Sequence, residues 1–298
     1  MTAPRSDPAP PLPPLDSMTY RRLAALQRAC RSPSAVAQAL DDGMDPDTHF
    51  DFHHESRPLF SAINAKPWNS ETVRTLLARG ADPNLPDDRG HTPIDSAFCH
   101  AHHGGEAFEM ARLLASHPGL RAPPGSTLLG IAFYAPALVP MLVERGYDPN
   151  ALCDEAALCL KGSTARQMAR PTCLARCASF GTTTDGDAVR ALIAHGANPN
   201  DDRGGVSPLA FALLGSGLLD GITALLEAGA NPLWSGFGGI DCLAIAKARL
   251  VFEHGTYLVP LREATIERIE SFHHSWMERR LLAQTLQAAT PSSLAKGL

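Results

Sequence analysis

The phrase Leu-Leu-Ala-Arg-Gly-Ala-Asp-Pro-Asn (residues 76–84) recurs along this chain. Variants of it begin at Leu142, Leu192 and Leu225, and a weaker copy spans residues 39–47. In each copy, paired apolar residues end a helix, glycine adopts the left-handed conformation and proline prevents the helix from continuing. The phrase therefore predicts a helix end that leads into an extended turn.

The spacing of the phrase indicates a structural repeat. Its glycines are separated by 37, 66, 50 and 33 residues (Gly43, Gly80, Gly146, Gly196 and Gly229). Since 66 is twice 33, a further copy is expected midway, where residues 113–118 place His117 at the glycine position. The interval of 50 exceeds 33 by 17, which predicts an insertion at about residues 151–171.

A second phrase precedes each helix end by some twenty residues and predicts a helix start. Thr92-Pro93 and Ser207-Pro208 each put a hydroxyl at the N-cap and proline at the first helical position. Aligning these starts gives two apolar columns, which we expect to be buried where neighbouring repeats stack. One column is Leu59, Ile94, Leu129, Leu174, Leu209 and Leu243, and the other is Ala62, Ala97, Ala132, Cys177, Ala212 and Ala246.

These phrases, in this order and at a period near 33, resemble the ankyrin repeat over about residues 17–250. Departures from the family pattern are Arg57 at an N-cap, Thr127-Leu128 in place of Thr-Pro, and His117 in place of glycine. The resemblance implies an all-α repeat solenoid of stacked helix pairs with projecting β-turn or hairpin loops. It also implies protein binding through a concave groove, which is the usual function of the family.

Around this array we predict three regions. Residues 1–16 form a proline-rich, disordered leader. Residues 17–250 form about seven repeats, of which the first and last are divergent. Residues 251–298 contain a capping helix at about 261–287, with Ile266, Ile269, Phe272 and Trp276 at helical spacing, and a short tail.

Composition excludes several classes of function. The net charge of −5 gives no global positive field for nucleic acid or an anionic membrane, and no apolar run has the length of a membrane span. The seven cysteines are odd in number and not in Cys-x-x-Cys pairs, which favours reduced thiols and a cytoplasmic location. We expect a monomer that binds neither nucleic acid nor membrane.

Three groups of residues are of types that can bind a metal ion. Cys99, His100, His102 and His103 with His117 form a His-rich group, interpreted as a solvated loop between two helices. Cys173 and Cys177 lie one helical turn apart, with Cys153 and Cys159 before them, and a packing role is favoured because Cys177 belongs to the alanine column. His49, His53 and His54 are interpreted like the first group. We therefore expect no metal and no cofactor.

Catalytic motifs are also missing from the sequence. It contains no Gly-x-Ser-x-Gly elbow, phosphate loop, His-Glu-x-x-His or dinucleotide fingerprint, so no catalytic residue is assigned. We expect a protein that is not an enzyme.

The expected binding residues lie in the turns between a helix end and the next helix start. Asp-Asp-Arg-Gly occurs there twice, at 87–90 and 201–204, and suits a β-turn. The resemblance places these turns at one edge of the groove, as fingertips. The expected partner-binding residues are Asp87, Asp88, Arg89, His91, Asp201, Asp202 and Arg203, with Trp68 and Trp234 as aromatic anchors. For each of them, a purely structural role in building the turn is an equally good interpretation.

Three functions remain open from the sequence alone. The first is a protein-protein interaction module or scaffold, the second a regulatory partner or effector that occludes a target, and the third a Cys/His metal-binding protein.

Overall fold

The computed structural model describes residues 17–50, 57–122, 134–153, 170–179, 185–215, 219–236, 239–252 and 259–289. These residues contain thirteen α-helices and a 3₁₀ turn at Pro136–Leu138. The helices are α1 Ser17–Ala29, α2 Pro33–Asp41, α3 Pro58–Asn64, α4 Ser70–Ala78, α5 Pro93–Ala101, α6 Gly105–Ser116, α7 Val139–Glu144, α8 Cys173–Cys177, α9 Asp185–Ala194, α10 Pro208–Leu214, α11 Leu219–Glu227, α12 Cys242–Phe252 and α13 Val259–Ala289. Each of the seven predicted repeats contributes at least one of them.

The predicted helix starts are confirmed, with side chains that satisfy the first backbone donors. The Ser207 hydroxyl accepts from the Ala210 N–H at 3.2 Å, and Thr172 caps α8 in the same way. Thr92 instead donates its hydroxyl and its N–H to the Asp95 carboxylate, at 2.7 and 2.9 Å. Arg57 makes no side-chain cap, because a guanidinium has no acceptor.

The chain forms two compact units. The first comprises Met1–Ala97 and Gly104–Leu114, and the second comprises Phe98–His103 and Ala115–Leu298. In the first unit, α1 packs on α3 as one layer, and α2 packs on α4 as the other. Glu106 of α6 accepts a hydrogen bond from the Ser70 N–H at 2.7 Å, at the start of α4. Hydrogen bonds from Ser70 hold the pKa of Glu106 below its usual value.

The second unit repeats the same two-layer arrangement. Helices α8, α10 and α12 pack in succession as the inner layer, while α7, α9, α11 and α13 form the outer layer. Helix α13 packs on both α12 and α11, so the final repeat is closed by this long helix.

Burial agrees with the two predicted columns wherever they are described. Leu59, Ile94, Leu174 and Leu209 are at most 3% exposed, and the second column is at most 4% exposed. Leu243 is the exception, because it is only half-buried and α12 has an inner-layer neighbour on one side alone. Leu129, Ala132 and Thr127-Leu128 lie outside the described residues, as do the predicted leader and residues 154–169 of the insertion.

The Asp-Pro-Asn part of the repeated phrase builds a tight turn after each helix. The Asp82 carboxylate accepts from the Asn84 N–H at 2.9 Å, and Asp148 and Asn198 accept in the same way from the N–H two residues on. Asx-turns of this kind fix the backbone that leads out of the helix pair.

The last residue of the phrase connects successive repeats. The Asn150 side chain donates to the Gly196 carbonyl at 2.9 Å and accepts from the Asn198 N–H at 2.7 Å. Asn200 makes the equivalent bonds to Gly229 and Asn231 at 2.9 and 2.7 Å. The side-chain amide supplies both the donor and the acceptor that this ladder uses.

Asp47 occupies the corresponding position in the first unit and makes half of this connection. Its carboxylate accepts from the Asp82 N–H at 2.9 Å. Burial raises the pKa of Asp47, although the hydrogen bond from Asp82 acts in the opposite direction.

The expectation that His117 replaces the repeat glycine is wrong. His117 Nδ1 accepts from the Gly119 N–H at 3.2 Å, and the Leu120 N–H donates to the His117 carbonyl at 3.1 Å. Both bonds match those of Asp82, which also precedes a proline. His117 therefore stands at the aspartate position, and helix α6 continues to Ser116 with the Gly-Ala pair deleted.

The C-terminal helix is longer than the predicted 261–287. Of the residues predicted to pack, Ile269 is buried and Ile266, Phe272 and Trp276 are half-buried, while Arg262 and Thr265 are buried without having been predicted. Met277, Leu281 and Leu282 are 49%, 67% and 61% exposed, so the helix continues beyond the part that contacts the repeats. None of the described helices has the length and hydropathy to span a membrane.

Candidate partner-binding surface

The first tip, residues 85–92, is a turn held together by Asp87. The Gly90 N–H donates to the Asp87 carbonyl at 3.0 Å, and Gly90 has a φ of 84°. The Asp87 carboxylate accepts from the N–H groups of Arg89 and His91 at 2.9 and 2.8 Å. Its side chain is only 8% exposed. Asp87 therefore builds the turn, as the structural interpretation of this residue expected.

The remaining polar side chains of the first tip face solvent. Asp88 is 59% exposed and its Oδ1 lies 2.8 Å from Nε2 of His49, which follows α2. His91 and Arg89 are also exposed. Arg57 lies beneath, donating to the carbonyls of Asp47 and Pro86 at 2.8 and 3.3 Å. The tip thus presents both signs of charge on a backbone tied to the preceding loop.

The second tip, residues 200–206, is built around an ion pair. The Asp201 carboxylate accepts from Nε and Nη2 of Arg203, with closest distances of 2.9 and 2.6 Å, and from the Arg203 N–H at 3.1 Å. Asp201 is 5% exposed, whereas Arg203 is 62% exposed. The Arg203 guanidinium lowers the pKa of Asp201, while burial opposes that shift.

The turn of the second tip is displaced by one residue from that of the first. Here the Gly205 N–H donates to the Asp202 carbonyl at 2.8 Å, and Gly205 has a φ of 86°. Gly204 has a different role, because a Cβ on it would lie 1.7 Å from the Arg170 carbonyl oxygen. The identical Asp-Asp-Arg-Gly phrases therefore fold in two registers.

Arg170 belongs to the base of the insertion, here called the neck (residues 150–153 and 170–172). Leu152 and Thr172 pair as an isolated antiparallel bridge, flanked by a bond from the Cys153 N–H to the Pro171 carbonyl at 2.9 Å. The Arg170 N–H donates to the Gly204 carbonyl at 3.0 Å, and Arg203 Nη2 donates to the Asn150 carbonyl at 3.0 Å. The second tip is thus fastened to the neck.

The two tryptophans lie at different kinds of position. Trp234 Nε1 donates to Asp202 at 3.1 Å, so this indole lies against the second tip. Trp68 lies in the loop between α3 and α4, with the Lys66 ammonium 5.1 Å from its ring centroid. That loop is at the end of an antiparallel helix pair opposite to the tip, so the structure does not bring Trp68 together with the residues of the first tip.

A polar cavity of about 470 Å³ lies beside the second tip. Its walls are formed by Asp148, Asn150, Asn198 and Asn200 together with residues 201–203. The asparagines were not among the expected site residues, although their recurrence in the repeated phrase is the signal that marks them.

The metal-ligand candidates are dispersed in the structure. Cys99 and His100 lie on the last turn of α5 and only His102 and His103 follow it, which corrects the expectation of a loop. His53, His54 and Cys159 lie outside the described residues. Within the described part of the chain, no three His, Cys, Asp or Glu side chains form a group that could hold a metal ion.

None of the described cysteines forms a disulfide, and all of them except Cys99 are buried. Cys173 and Cys177 are fully buried, in agreement with the packing role predicted for them. Burial raises the pKa of Cys242 to about 12, so this thiol remains protonated at neutral pH. A protonated, buried thiol is a poor nucleophile.

Comparison with known proteins identifies the fold. The human ASB11 ankyrin repeat domain aligns with a TM-score of 0.51 and 16% identity, covering 83% of this chain and 96% of that chain. The ankyrin repeat domain of Bcl-3, a member of the IkappaB protein family, aligns with a TM-score of 0.52 and 20% identity, covering 84% and 97%. An ankyrin repeat domain from Acinetobacter baumannii gives 0.43 and 19%, covering 85% and 98%.

No protein-family profile matches the sequence. No curated protein matches it either. The chain nevertheless has the ankyrin repeat fold, an all-α repeat solenoid.

Proposed function

We propose that this protein is a non-enzymatic interaction module that binds a partner protein through the tip side of its repeats, along the concave groove. The proposal rests mainly on one observation. In both tips a buried aspartate, Asp87 or Asp201, fixes the turn while the neighbouring charged side chains remain exposed. A rigid backbone that carries exposed side chains loses little conformational entropy on binding.

The hydrogen bonds of the tips divide the expected residues into two groups: those that hold the turn together and those that are exposed to a partner. Asp87 and Asp201 support the turns. Asp88, Arg89 and His91 on the first tip, and Asp202 and Arg203 on the second, are the side chains available to a partner. Trp234 adds an aromatic surface beside Asp202. Trp68 would serve only a partner that also reaches the opposite end of its helix pair.

The partner surface should itself carry both charges. Each tip carries both a carboxylate and a guanidinium, so a partner surface with a single sign of charge would be attracted to one group and repelled by the other.

Cysteines without disulfides suit a reducing compartment, and we place the protein in the cytoplasm as a monomer that binds neither nucleic acid nor membrane. The occlusion of a target and the assembly of a scaffold would use the same surface.

Affinity capture from the native source tests this proposal. Wild-type protein should retain a partner that Arg89→Glu loses, because reversing an exposed charge leaves the Asp87 turn intact. Arg280→Glu, an equally exposed change on α13, is the matched control and should retain the partner. Thermal melts of all three proteins show whether each remains folded.

Two results would contradict the proposal that the partner binds along the groove. One is capture of the same partner, at unchanged affinity, by wild type, Arg89→Glu and a variant with Asp202→Lys. The other is loss of the partner with Arg280→Glu alone.

A further inference from the structure

The start of the array carries positive charge that the tip surface does not use. Residues 17–40 contain four arginines and no aspartate or glutamate, although the whole chain has a net charge of −5. The structure shows that two of them face a concavity.

A cavity of about 390 Å³ lies between the end of α1 and the end of α3, within the first unit. Arg28 lines it from the last turn of α1, Arg31 from the turn that follows α1, and Lys66 from the loop after α3. Ser61 and Asn64 contribute a hydroxyl and an amide. The volume falls within the range of about 300–1,000 Å³ that is typical of small-ligand sites.

The three cations exceed what the nearby helix ends require. The C-termini of α1 and α3 each carry about half a negative charge, which one cation in total would balance. Three full positive charges therefore leave a surplus of about two.

Several arginines elsewhere in the described chain pair with carboxylates, unlike those of this cavity. Arg74 pairs with Glu71, Arg112 with Glu109, and Arg190 with Asp187 and Asp220. Among the described residues that line the cavity there is no carboxylate. Arg28 uses its Nε on the Ala24 carbonyl, at 3.1 Å within its own helix. The positive charge of this cavity is thus suited to an anion from outside the chain.

We propose that this cavity binds a phosphate monoester, either as a small molecule or as a phosphorylated side chain of a partner. Arg28 and Arg31 line the same cavity and can donate together to phosphate oxygens, with the Lys66 ammonium as a third cation. A concave site fits a single tetrahedral group better than the flat surface of a membrane does. The site lies at the end of its helix pairs opposite to the first tip, and it does not depend on the function proposed for the tips.

Binding of O-phosphoserine and of inorganic phosphate to the full chain tests this proposal by calorimetry at constant ionic strength. Both should bind in preference to chloride. Arg28→Gln combined with Arg31→Gln should weaken binding about tenfold or more, because charge-assisted hydrogen bonds are removed. Arg21→Gln, an exposed arginine on the same helix that does not line the cavity, should leave the affinity unchanged.

The pH dependence supplies a second measurement. O-phosphoserine should bind more tightly as the pH rises through about 6, where the phosphate gains its second charge while arginine stays protonated. If the double variant does not fold, Lys66→Gln on the exposed loop carries the test, with a smaller expected loss.

Three outcomes would overturn the proposal. The first is equal affinity in wild type and in every folded cavity variant, and the second is phosphate binding no tighter than chloride. The third is binding to vesicles of phosphatidylcholine and phosphatidylserine in equal parts without binding of O-phosphoserine, which would assign the cations to a membrane surface. Tip variants such as Arg89→Glu should leave phosphate affinity unchanged, so failure here and failure of the tip surface are distinguishable.

Discussion

The two tips begin with the same four residues, yet they are held in different ways. The first is a self-contained turn in which the Asp87 carboxylate binds the backbone of its own loop. The second is moved one residue along the chain, and Arg203 and Gly204 are bonded to the neck of the insertion. A short identical phrase therefore fixes the type of turn but not its register, which is decided by what packs against it.

The helices that follow the two tips should respond alike to mutation, since both place a fully buried residue in the same column. Leu209→Ala and Ile94→Ala should each lower the free energy of unfolding by about 2–5 kcal/mol through the cavity that they leave. Chemical denaturation measures both. Leu243→Ala, at the half-buried position, is the control and should cost less. An unchanged melt for Leu209→Ala would show that the column is not packed as described.

The tip glycines should separate the two registers. Gly204→Ala should lower the free energy of unfolding by about 1–3 kcal/mol, because its Cβ meets the Arg170 carbonyl. Gly90→Ala and Gly205→Ala meet no neighbouring atom within 4 Å and should each cost about 1 kcal/mol, for the left-handed conformation alone.

Equal effects of Gly204→Ala and Gly90→Ala would mean that the two phrases fold identically. Hydrogen exchange at residues 150–153 adds a local measurement, since only Gly204→Ala should loosen the neck.

The pairing of Asp201 with Arg203 should make the stability of the protein depend on pH. Arg203 lowers the folded-state pKa of Asp201 from its ordinary value of 3.8. The resulting stabilisation is present above that ordinary value and is lost as the pH falls through the lower, folded value. Asp201→Asn should therefore cost about 1.5 kcal/mol at neutral pH and make unfolding less sensitive to acid.

Denaturation of wild type and of Asp201→Asn at a series of pH values measures this loss of acid sensitivity. Asp87→Asn is the same substitution in the first tip and serves for comparison. If Asp201→Asn lost as much stability in acid as wild type does, a carboxylate other than Asp201 would be responsible for the pH dependence.

Removing the exposed arginines should have the smallest effect on stability. Arg203→Ala should cost less than about 1 kcal/mol, since its side chain is largely in water and its ion pair is screened. Arg89→Ala should change stability by no more than about 0.5 kcal/mol. A thermal melt of both variants measures these effects. A loss of several kcal/mol in Arg203→Ala would show that its bond to the neck contributes far more than an exposed ion pair does.

Much of the fold could be predicted from the sequence, because the residues that start and end each helix recur with every structural repeat. Glycine after each helix, a hydroxyl before it and a small-residue column are local rules, and Ala62 and Ala212 occupy the buried positions that the rules predicted. His117 was misplaced for an instructive reason. Alignment on leucines assumes a constant helix length, whereas α6 is extended and an imidazole nitrogen takes over the acceptor role of aspartate.

Less of the candidate site was predictable. The sequence identified the tips but not the division between buried supports and exposed contacts, since that depends on non-local packing such as Arg170 against Gly204. Trp68 was grouped with the tips because it is an aromatic residue in a predicted loop. Its residue type does not show at which end of a helix pair that loop lies. The basic cavity joins residues more than thirty positions apart in the chain, and no local pattern contains it.

The bridge between Leu152 and Thr172 has a consequence for engineering the chain. By pairing the two strands at the base of the insertion, the neck holds residues 153 and 170 at a fixed, short separation whatever the intervening sequence is. The entropy of closing such a segment grows only slowly with its length. Residues 154–169 should therefore be exchangeable for a foreign peptide or a small domain with adjacent termini, which would turn the array into a carrier that displays a guest beside its second tip.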